Sequence, residues 1–202
     1  TLAAKACLVT VSTGVLNANK IRFVPDLPDR KRQAAADIPM GLLVKVPMLF
    51  DGARLGLGEN NWVTYRIPED SAGEACYFIA WPCGHDYLFG NIGGRFGWAL
   101  SREGPDAVVD YALTQLVRIV GSDARKHFIK GFATDWAENP LTLGAYGAVR
   151  PGADGARDIL AEPLADRVFF AGEAMGGARS ALVNGAYNSG KAAAKKIAKT
   201  LR

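Results

Sequence analysis

The segment from residue 168 to the C-terminus constrains the fold of this chain more than any other part of the sequence. Residues 168–172 form a short apolar run that ends at a glycine, which predicts a buried strand. Residues 185–201 carry small and apolar residues on one helical face and lysines on much of the rest, which predicts a helix. The sequence therefore predicts a strand–turn–helix unit at this end of the chain.

The start of the predicted helix has features that suit a ligand. Backbone N–H groups at a helix N-terminus favour a partly anionic group. Gly185, Ala186 and Gly190 are small, so a large planar ligand could approach the backbone closely. Glu173, just after the strand, could accept hydrogen bonds from hydroxyl groups. A helix that simply packs tightly on a strand explains the same residues, so both interpretations stay open on the residues alone.

Elsewhere the hydrophobic pattern predicts a mixture of helices and strands. The strongest helical periodicity covers residues 108–120 and stops at Gly121, and Pro28 can open a short helix over residues 29–37. Apolar runs predict strands at residues 6–11, 42–50, 63–67, 76–81 and 128–136. Because strands and helices do not alternate regularly, we expect an α+β / α/β fold rather than a simple doubly wound sheet.

Composition argues against several classes of function. Among the 202 residues, which carry a net charge of +4, no apolar stretch is long enough to cross a membrane. The basic clusters at residues 30–32 and 191–199 lack the interleaved aromatics of a nucleic-acid site, so we interpret both as solvated helix faces. Three cysteines without a CxxC pair, and two histidines, predict neither a disulfide framework nor a metal centre. Reduced thiols are typical of an intracellular, here cytoplasmic, protein.

Four segments resemble, in the same order, motifs of the flavin-dependent amine oxidases, a family that includes monoamine, polyamine and L-amino-acid oxidases and lysine-specific histone demethylases. FFAGEA (169–174) with LVNGAYNSGKAAA (182–194) resembles the C-terminal flavin-binding motif. LVTVSTGVL (8–16) resembles the strand–turn–leucine motif, with Ser12 in place of the usual proline. Residues 21–51 resemble the start of the substrate domain, and TDWAENPLTLGAY (134–146) resembles the tryptophan, acidic-Pro and Gly-x-Tyr motif.

The resemblance implies the C-terminal portion of a two-domain flavin amine oxidase. Residues 1–16 and 135–202 would belong to an incomplete FAD-binding domain, and residues 17–134 to a mixed-sheet substrate domain with flanking helices. Lys45 would be the catalytic lysine that holds a water against the flavin, although the residues alone favour an edge-strand lysine that reaches solvent. The residues implied to contact the cofactor are Val11, Trp136, Tyr146, Gly172, Glu173, Leu182, Val183 and Ala186.

The same resemblance implies individual roles for some of these residues. Glu173 would bind the ribityl or phosphate region of FAD, with Gly172 allowing close approach. The Val183 N–H would face the pyrimidine carbonyl, where the helix dipole stabilises negative charge on the reduced flavin. Trp136 would pack beside the flavin ring. Each side chain also has a structural interpretation as core packing or, for Glu173, as a solvated carboxylate.

The chain also departs from the family pattern at several positions. Tyr146 matches one member of the family's aromatic sandwich, but Leu182 stands where the second aromatic would be, which argues against monoamine-oxidase-like recognition. Ala145 stands where some members carry the cysteine linked to FAD, so noncovalent FAD is expected. The dinucleotide-binding GxGxxG fingerprint is missing, and residues 90–94, which have the wrong spacing for it, are interpreted as a turn. An N-terminal FAD-domain chain or segment is therefore an expected partner.

The function implied is oxidation of the C–N bond of an amine or amino acid to an imine, with O₂ as acceptor and H₂O₂ as product. The expected partners are a small-molecule amine and O₂, without nucleic acid or membrane. Two alternatives stay open. The first is a flavin-dependent desaturase or protoporphyrinogen-oxidase-like enzyme, against which Lys45 argues. The second is a non-catalytic scaffold chain that lost the cofactor.

Overall fold

A computed structural model describes residues 1–67, 69 and 73–202. Within these residues, no helix combines the length and the hydropathy needed to span a bilayer. The mixed helix and strand content that the sequence predicts is confirmed. In chain order the elements are β1 (Cys7–Val9), α1 (Thr13–Asn17), α2 (Asp29–Ala36), β2 (Met40–Gly41), β3 (Leu43–Phe50), β4 (Asn61–Val63), β5 (Cys76–Ala80), β6 (Tyr87–Gly93), α3 (Gly94–Arg102), α4 (Pro105–Val120), α5 (Asp123–His127), β7 (Phe128–Gly131), β8 (Tyr146–Gly147), α6 (Ala156–Ala161), β9 (Val168–Phe170) and α7 (Val183–Thr200).

The described chain divides into two compact units. The first unit contains Thr1–Gly41 and Asn139–Arg202, and the second contains Leu42–Glu138. Residues 17–41, which the sequence assigned to a substrate domain, lie in the first unit because α2 packs against α6. The functional assignment of the domains stays a prediction.

The first unit is built on two short strand pairs and the helices beside them. β1 runs parallel to β9, with Cys7 opposite Val168 and Val9 opposite Phe170. β2 pairs antiparallel with β8. Ser12 caps α1, because its Oγ accepts a hydrogen bond from the Val15 N–H at 3.2 Å. Apolar residues of α1, α2 and α6, together with Ile38 just after α2, form a core of the first unit: Leu16, Ala34, Ala35, Ile38, Ala156 and Leu160.

The interpretation of residues 30–32 as a solvated helix face is wrong for Lys31. This side chain is buried, and its Nζ donates to the carbonyl oxygens of Ile159 and Leu160 at 2.9 Å and of Glu162 at 2.6 Å. The ammonium also lies 4.3 Å from the centre of the Phe170 ring. Lys31 therefore binds the carbonyl groups at the C-terminal end of α6, where Ile159 also accepts from the Glu162 N–H at 3.3 Å.

The second unit is a five-stranded antiparallel sheet in the order β4-β5-β6-β3-β7. Strand β3 shows strict alternation, with Val44, Val46, Met48 and Phe50 buried. These residues share a core with Val108, Ala112, Leu113 and Leu116 of α4. The alternate residues of β3, which include Lys45, are half-buried on the opposite face of the sheet. The alternation therefore places Lys45 on the face that does not carry the α4 core.

The interpretation of residues 90–94 as a turn is wrong, because residues 87–93 form β6, a central strand of this sheet. Gly90 is needed there for packing. A Cβ on Gly90 would lie 3.1 Å from the Cys76 Sγ and 3.3 Å from the Ala112 Cβ. Only Gly94, with φ of 65°, has the backbone conformation that favours glycine, and it begins α3.

Several predicted boundaries also move. The strand expected at 63–67 lies at Asn61–Val63, because Asn61 and Trp62 pair with Ala80 and Ile79 of β5. The strand expected at 128–136 ends at Gly131, after a register shift opposite Leu49 and Phe50. The other predicted strands and helices match the observed elements to within a few residues.

Candidate functional site

A cleft in the first unit collects several of the residues that the C-terminal motif implicated. The cleft has a volume of about 400 Å³ and lies at the carboxyl ends of the parallel strands β1 and β9, beside α7. Val11, Gly172, Glu173 and Ala186 line it. Its other lining residues are Thr10, Ser12, Leu141, Thr142, Ala171, Ala174 and Gly190. The carboxyl ends of parallel strands are a common place for ligands to bind in α/β proteins.

Gly172 exposes its backbone to this cleft. Its φ of 148° favours glycine, and a Cβ there would find its nearest neighbour, the Met175 Cε, at 3.5 Å. The Gly172 N–H donates to the Ser189 Oγ at 2.9 Å, and that hydroxyl lies 2.8 Å from the Ala186 carbonyl oxygen. Ser189 therefore joins the turn after β9 to the first turns of α7.

Glu173 is a bound carboxylate rather than a solvated one. Its Oε1 accepts from the Gly147 N–H at 2.8 Å, and its Oε2 accepts from the Ala181 N–H at 3.0 Å. Arg157 adds hydrogen bonds to the carbonyls of Ala174 and Gly147 at 2.6 and 3.0 Å. Glu173 therefore fixes the loop that leads into α7. Each carboxylate oxygen still has a second lone pair for another donor.

The start of α7 is apolar and exposed. The N-cap residue Leu182 makes no side-chain hydrogen bond to the helix, and Leu182, Val183 and Tyr187 all expose more than half of their surface. The loop before α7 packs closely against the helix at Gly185. A Cβ at this position would lie 1.9 Å from the Arg179 carbonyl oxygen. An exposed apolar group beside backbone N–H donors suits a ligand that is apolar on one face and accepts hydrogen bonds at its edge.

Tyr146 lies on β8, opposite Gly41 of β2. A Cβ on Gly41 would lie 3.4 Å from the Tyr146 ring, so this glycine provides space for the ring. The neighbouring Ala145 N–H donates to the Gly41 carbonyl at 2.8 Å. Tyr146 does not line the cleft of the first unit in the part of the chain that the structure describes.

Lys45 is the functional candidate of the second unit. Its Nζ donates to the Oδ1 of Asn91 at 2.8 Å, so the ammonium is neither unpaired inside an apolar strand nor extended freely into solvent. Asn91 faces Lys45 directly across β3 and β6 and is only 1% exposed. Burial raises the pKa of the nearby Cys76 thiol to about 12, which leaves that side chain a neutral packing group.

Trp136 lies in the same unit as Lys45 and follows Thr134 by two residues, and Thr134 binds the backbone of Lys45 in β3. The Thr134 Oγ1 accepts from the Lys45 N–H at 3.0 Å, and the Thr134 N–H donates to the Lys45 carbonyl at 3.0 Å. Both backbone groups of Lys45 are therefore held by one residue. This arrangement fixes the segment that carries Trp136, whose ring is partly exposed.

Sequence reasoning missed Asn91 and Ser189 as parts of these arrangements. The alternation of Leu88, Gly90 and Ile92 could have indicated a strand at these residues, with Asn91 on its other face. Ser189 stands nearly two turns after the start of α7 and is a polar residue on a face of small residues.

Known proteins resemble this chain over nearly all of its length. Lysine-specific histone demethylase 1 homolog 2 of Arabidopsis thaliana is 34% identical over 195 residues, which are 94% of this chain and 26% of that protein. Polyamine oxidase 4 of Oryza sativa subsp. japonica is 33% identical over 204 residues, or 98% of this chain and 40% of that protein. The solved structure of cyclohexylamine oxidase from Brevibacterium oxydans IH-35A matches with a TM-score of 0.75 at 25% identity, over 99% of this chain and 44% of that one.

This chain thus spans between 26% and 44% of the length of these three proteins. The fold agrees with that of the amine oxidase structure, of which it corresponds to one portion. The family described as flavin containing amine oxidoreductase matches residues 1–198. That match covers both the cleft of the first unit and the Lys45 strand of the second. The chain therefore belongs to the flavin containing amine oxidoreductase family.

Proposed function

We propose that the protein to which this chain belongs binds FAD noncovalently and oxidises the C–N bond of an amine or amino acid. The observation that carries this proposal is the first-unit cleft, where the turn after β9 and the start of α7 meet at small residues and exposed backbone. The chain supplies the part of the flavin pocket nearest the isoalloxazine ring and most of the substrate domain.

The residues of the cleft fit a flavin. A Cβ on Gly190 would meet nothing within 4 Å, and one on Gly172 would make only an ordinary contact, 3.5 Å from the Met175 Cε. Val11 and Ala186 provide apolar walls. Glu173 has lone pairs to accept from ribityl hydroxyls, and the Val183 N–H can donate to a pyrimidine carbonyl. The described lining residues include no cysteine, and Ala145 stands at the family's linkage position, which supports noncovalent binding.

The proposed reaction is R₂CH–NH₂ + O₂ → R₂C=NH + H₂O₂, followed by hydrolysis of the imine to a carbonyl compound and ammonia. A bound flavin supplies the two-electron acceptor that neither the amine nor any side chain of this chain provides. The helix dipole and the N–H groups at the start of α7 stabilise negative charge where it develops. Lys45 donates a hydrogen bond to a water beside the reacting centre, and Trp136 and Tyr146 help to orient and desolvate the neutral amine.

Amines of several kinds are reasonable substrates. The relatives include a polyamine oxidase and histone demethylases, and the structural neighbours include a cyclohexylamine oxidase and a variant of putrescine oxidase. The likeness to putrescine oxidase, at 19% identity, supports the fold alone. A substrate panel should therefore contain cyclohexylamine, putrescine, a longer polyamine and a peptide with methylated lysine.

The test uses the complete, flavin-loaded protein. Its visible absorbance should bleach anaerobically with at least one amine of the panel, O₂ should restore it with formation of H₂O₂, and denaturation should release the flavin. Lys45→Met should slow flavin reduction at least about a hundredfold, the scale of a lost proton-handling group. Lys130→Met, a change at an exposed lysine of β7, is the matched control and should leave the rate unchanged.

Three outcomes would contradict the proposal. A colourless protein that takes up no FAD would favour the scaffold chain. A yellow protein that no amine bleaches, but that an apolar substrate of a desaturase does, would favour C–C oxidation. Equal rates in Lys45→Met and Lys130→Met would remove Lys45 from the mechanism.

A further inference from the structure

We propose that Asn91 is a positioning residue that holds the Lys45 ammonium in its working orientation. This inference rests on the proposed function, because it concerns the lysine on which that function depends. Asn91 was assigned no role by the motifs, which place only the lysine, the tryptophan and the flavin-binding segments.

The two residues are paired by the sheet itself. Lys45 of β3 lies directly opposite Asn91 of β6 in an antiparallel register, and Asn91 lies opposite Tyr77 of β5. Directly opposite residues in such a pair point to the same face, with their Cβ atoms about 5 Å apart. Because β6 is a central strand of the sheet, Asn91 cannot shift without disturbing two neighbours.

The amide of Asn91 is oriented by its own contacts. Its Nδ2 faces the carbonyl oxygens of Tyr77 and Phe89 at 3.4 and 3.5 Å, which are long hydrogen bonds. Turning the amide over would bring two donor groups together at the ammonium and two acceptors together at the carbonyls. The Oδ1 is therefore directed at Lys45, where it accepts at 2.8 Å.

The backbone of Lys45 is held separately, by the two hydrogen bonds to Thr134. Thr134 fixes where the side chain begins, and Asn91 fixes where it ends. A lysine side chain has four rotatable bonds and loses much of its freedom when its end is held. A neutral acceptor that is 1% exposed holds the ammonium while leaving its other N–H groups free to bind a water.

The hydroxyl of Thr134 bonds the Lys45 backbone and not its ammonium. Removal of the Asn91 oxygen therefore leaves the ammonium without its partner in the sheet. The effect on the reaction should depend on the presence of Lys45. A purely structural asparagine would instead lower stability and act equally whether or not the lysine is present.

The experiment is a double-mutant cycle in the complete, flavin-loaded protein. Asn91→Leu should slow anaerobic flavin reduction by the amine at least about tenfold, the scale of a lost hydrogen bond to a charged group. In the Lys45→Met background the same change should alter the rate by less than about twofold. Gln115→Leu is the matched control, because Gln115 is also a buried amide of the second unit but lies on α4. Gln115→Leu should leave the rate of flavin reduction unchanged, both in the parent protein and in the Lys45→Met background.

Crystal structures of the same variants provide a readout that does not depend on activity. In Asn91→Leu the Lys45 Nζ should move by more than about 1 Å while β3 and β6 keep their register. An unmoved ammonium, or an equal loss of rate with and without Lys45, would overturn the inference. If no amine reduces the flavin in the parent protein, the proposed function fails, and the structures still decide whether Asn91 positions Lys45.

Discussion

Two lysines show how differently one residue type is used in this chain. Lys31 is buried, and its ammonium is bonded to three carbonyl oxygens at the end of α6. Lys45 is half-buried and has one amide oxygen as its partner, so N–H groups remain for a ligand. The fold thus provides an acceptor for each N–H of the Lys31 ammonium, whereas Lys45 keeps N–H donors that Asn91 does not use.

Lys31→Met should lower the free energy of unfolding by about 1 to 3 kcal/mol, because it removes the donor that the carbonyls of Leu160 and Glu162 have in the fold. The matched control is Arg30→Met. Arg30 precedes Lys31 and pairs with Glu162, but both side chains of that pair are largely exposed, so its loss should cost less than about 1 kcal/mol. Denaturant unfolding of the two variants beside the parent checks the difference. Equal effects would mean that the buried contacts of Lys31 carry no stability.

Lys31 also makes stability depend on pH. Burial lowers the pKa of its ammonium from 10.5 to about 8, against the opposing attraction of Glu162. Between pH 8 and 10.5 the unfolded chain therefore keeps a proton that the folded chain has released, so stability rises with pH in this window. The stability of the parent relative to Lys31→Met should increase by about 1 to 3 kcal/mol across it. A relative stability that falls as pH rises would show that the fold favours the charged form.

At the scale of elements, the sequence pattern was sufficient to predict α4, because apolar residues that recur at helical spacing over about four turns indicate an amphipathic helix. Strand β6 was missed because its glycines suggested a turn, although Gly90 is required by the closeness of Cys76 and Ala112. Contacts between distant segments cannot be read from local pattern. No local pattern shows the burial of Lys31 against α6. The alternation around Asn91 marks a strand, but it does not show that this strand pairs with β3 and places Asn91 opposite Lys45.

The two glycines of α7 should respond in opposite ways to alanine. Gly185→Ala places a methyl group against the Arg179 carbonyl, whose oxygen lies 1.9 Å from the Cβ position, so it should destabilise the flavin-free protein by about 1 to 3 kcal/mol. Gly190→Ala meets nothing within 4 Å and should stabilise it by about 0.5 to 1 kcal/mol, because alanine favours a helix interior. Thermal unfolding of both variants checks this. Similar shifts in both would show that the loop before α7 is not held against the helix.

At the scale of the whole molecule, the family match and the exposed apolar surface of the first unit both lead us to expect that a flavin binds at the start of α7. The chain corresponds to part of a flavin containing amine oxidoreductase, and the start of α7 exposes Leu182, Val183 and Tyr187. In the chain alone these apolar groups face solvent. A bound flavin would cover them, and a ligand that binds only the folded state adds to its stability.

Added FAD should therefore raise the unfolding temperature of the complete protein. At a hundred times its Kd, FAD adds about 2.7 kcal/mol to the free energy of unfolding, and this contribution grows with the logarithm of its concentration. Val183→Asp should abolish this shift. Val183 is 88% exposed, so the substitution buries nothing, and an acidic residue in the first turn stabilises a helix. The flavin-free protein should then unfold at the same or a higher temperature, while the carboxylate opposes the electron-rich edge of a flavin.

Val24→Asp tests whether any added charge has this effect, since Val24 is an equally exposed valine of the same unit, at 81%. This control should keep the full FAD-dependent shift. If Val183→Asp keeps it as well, the start of α7 does not face the flavin, and the cleft beside Gly172 must take the cofactor in another way. Loss of the shift in both variants would point to a general charge effect, and only the difference between two valines of matched exposure assigns the flavin to this helix.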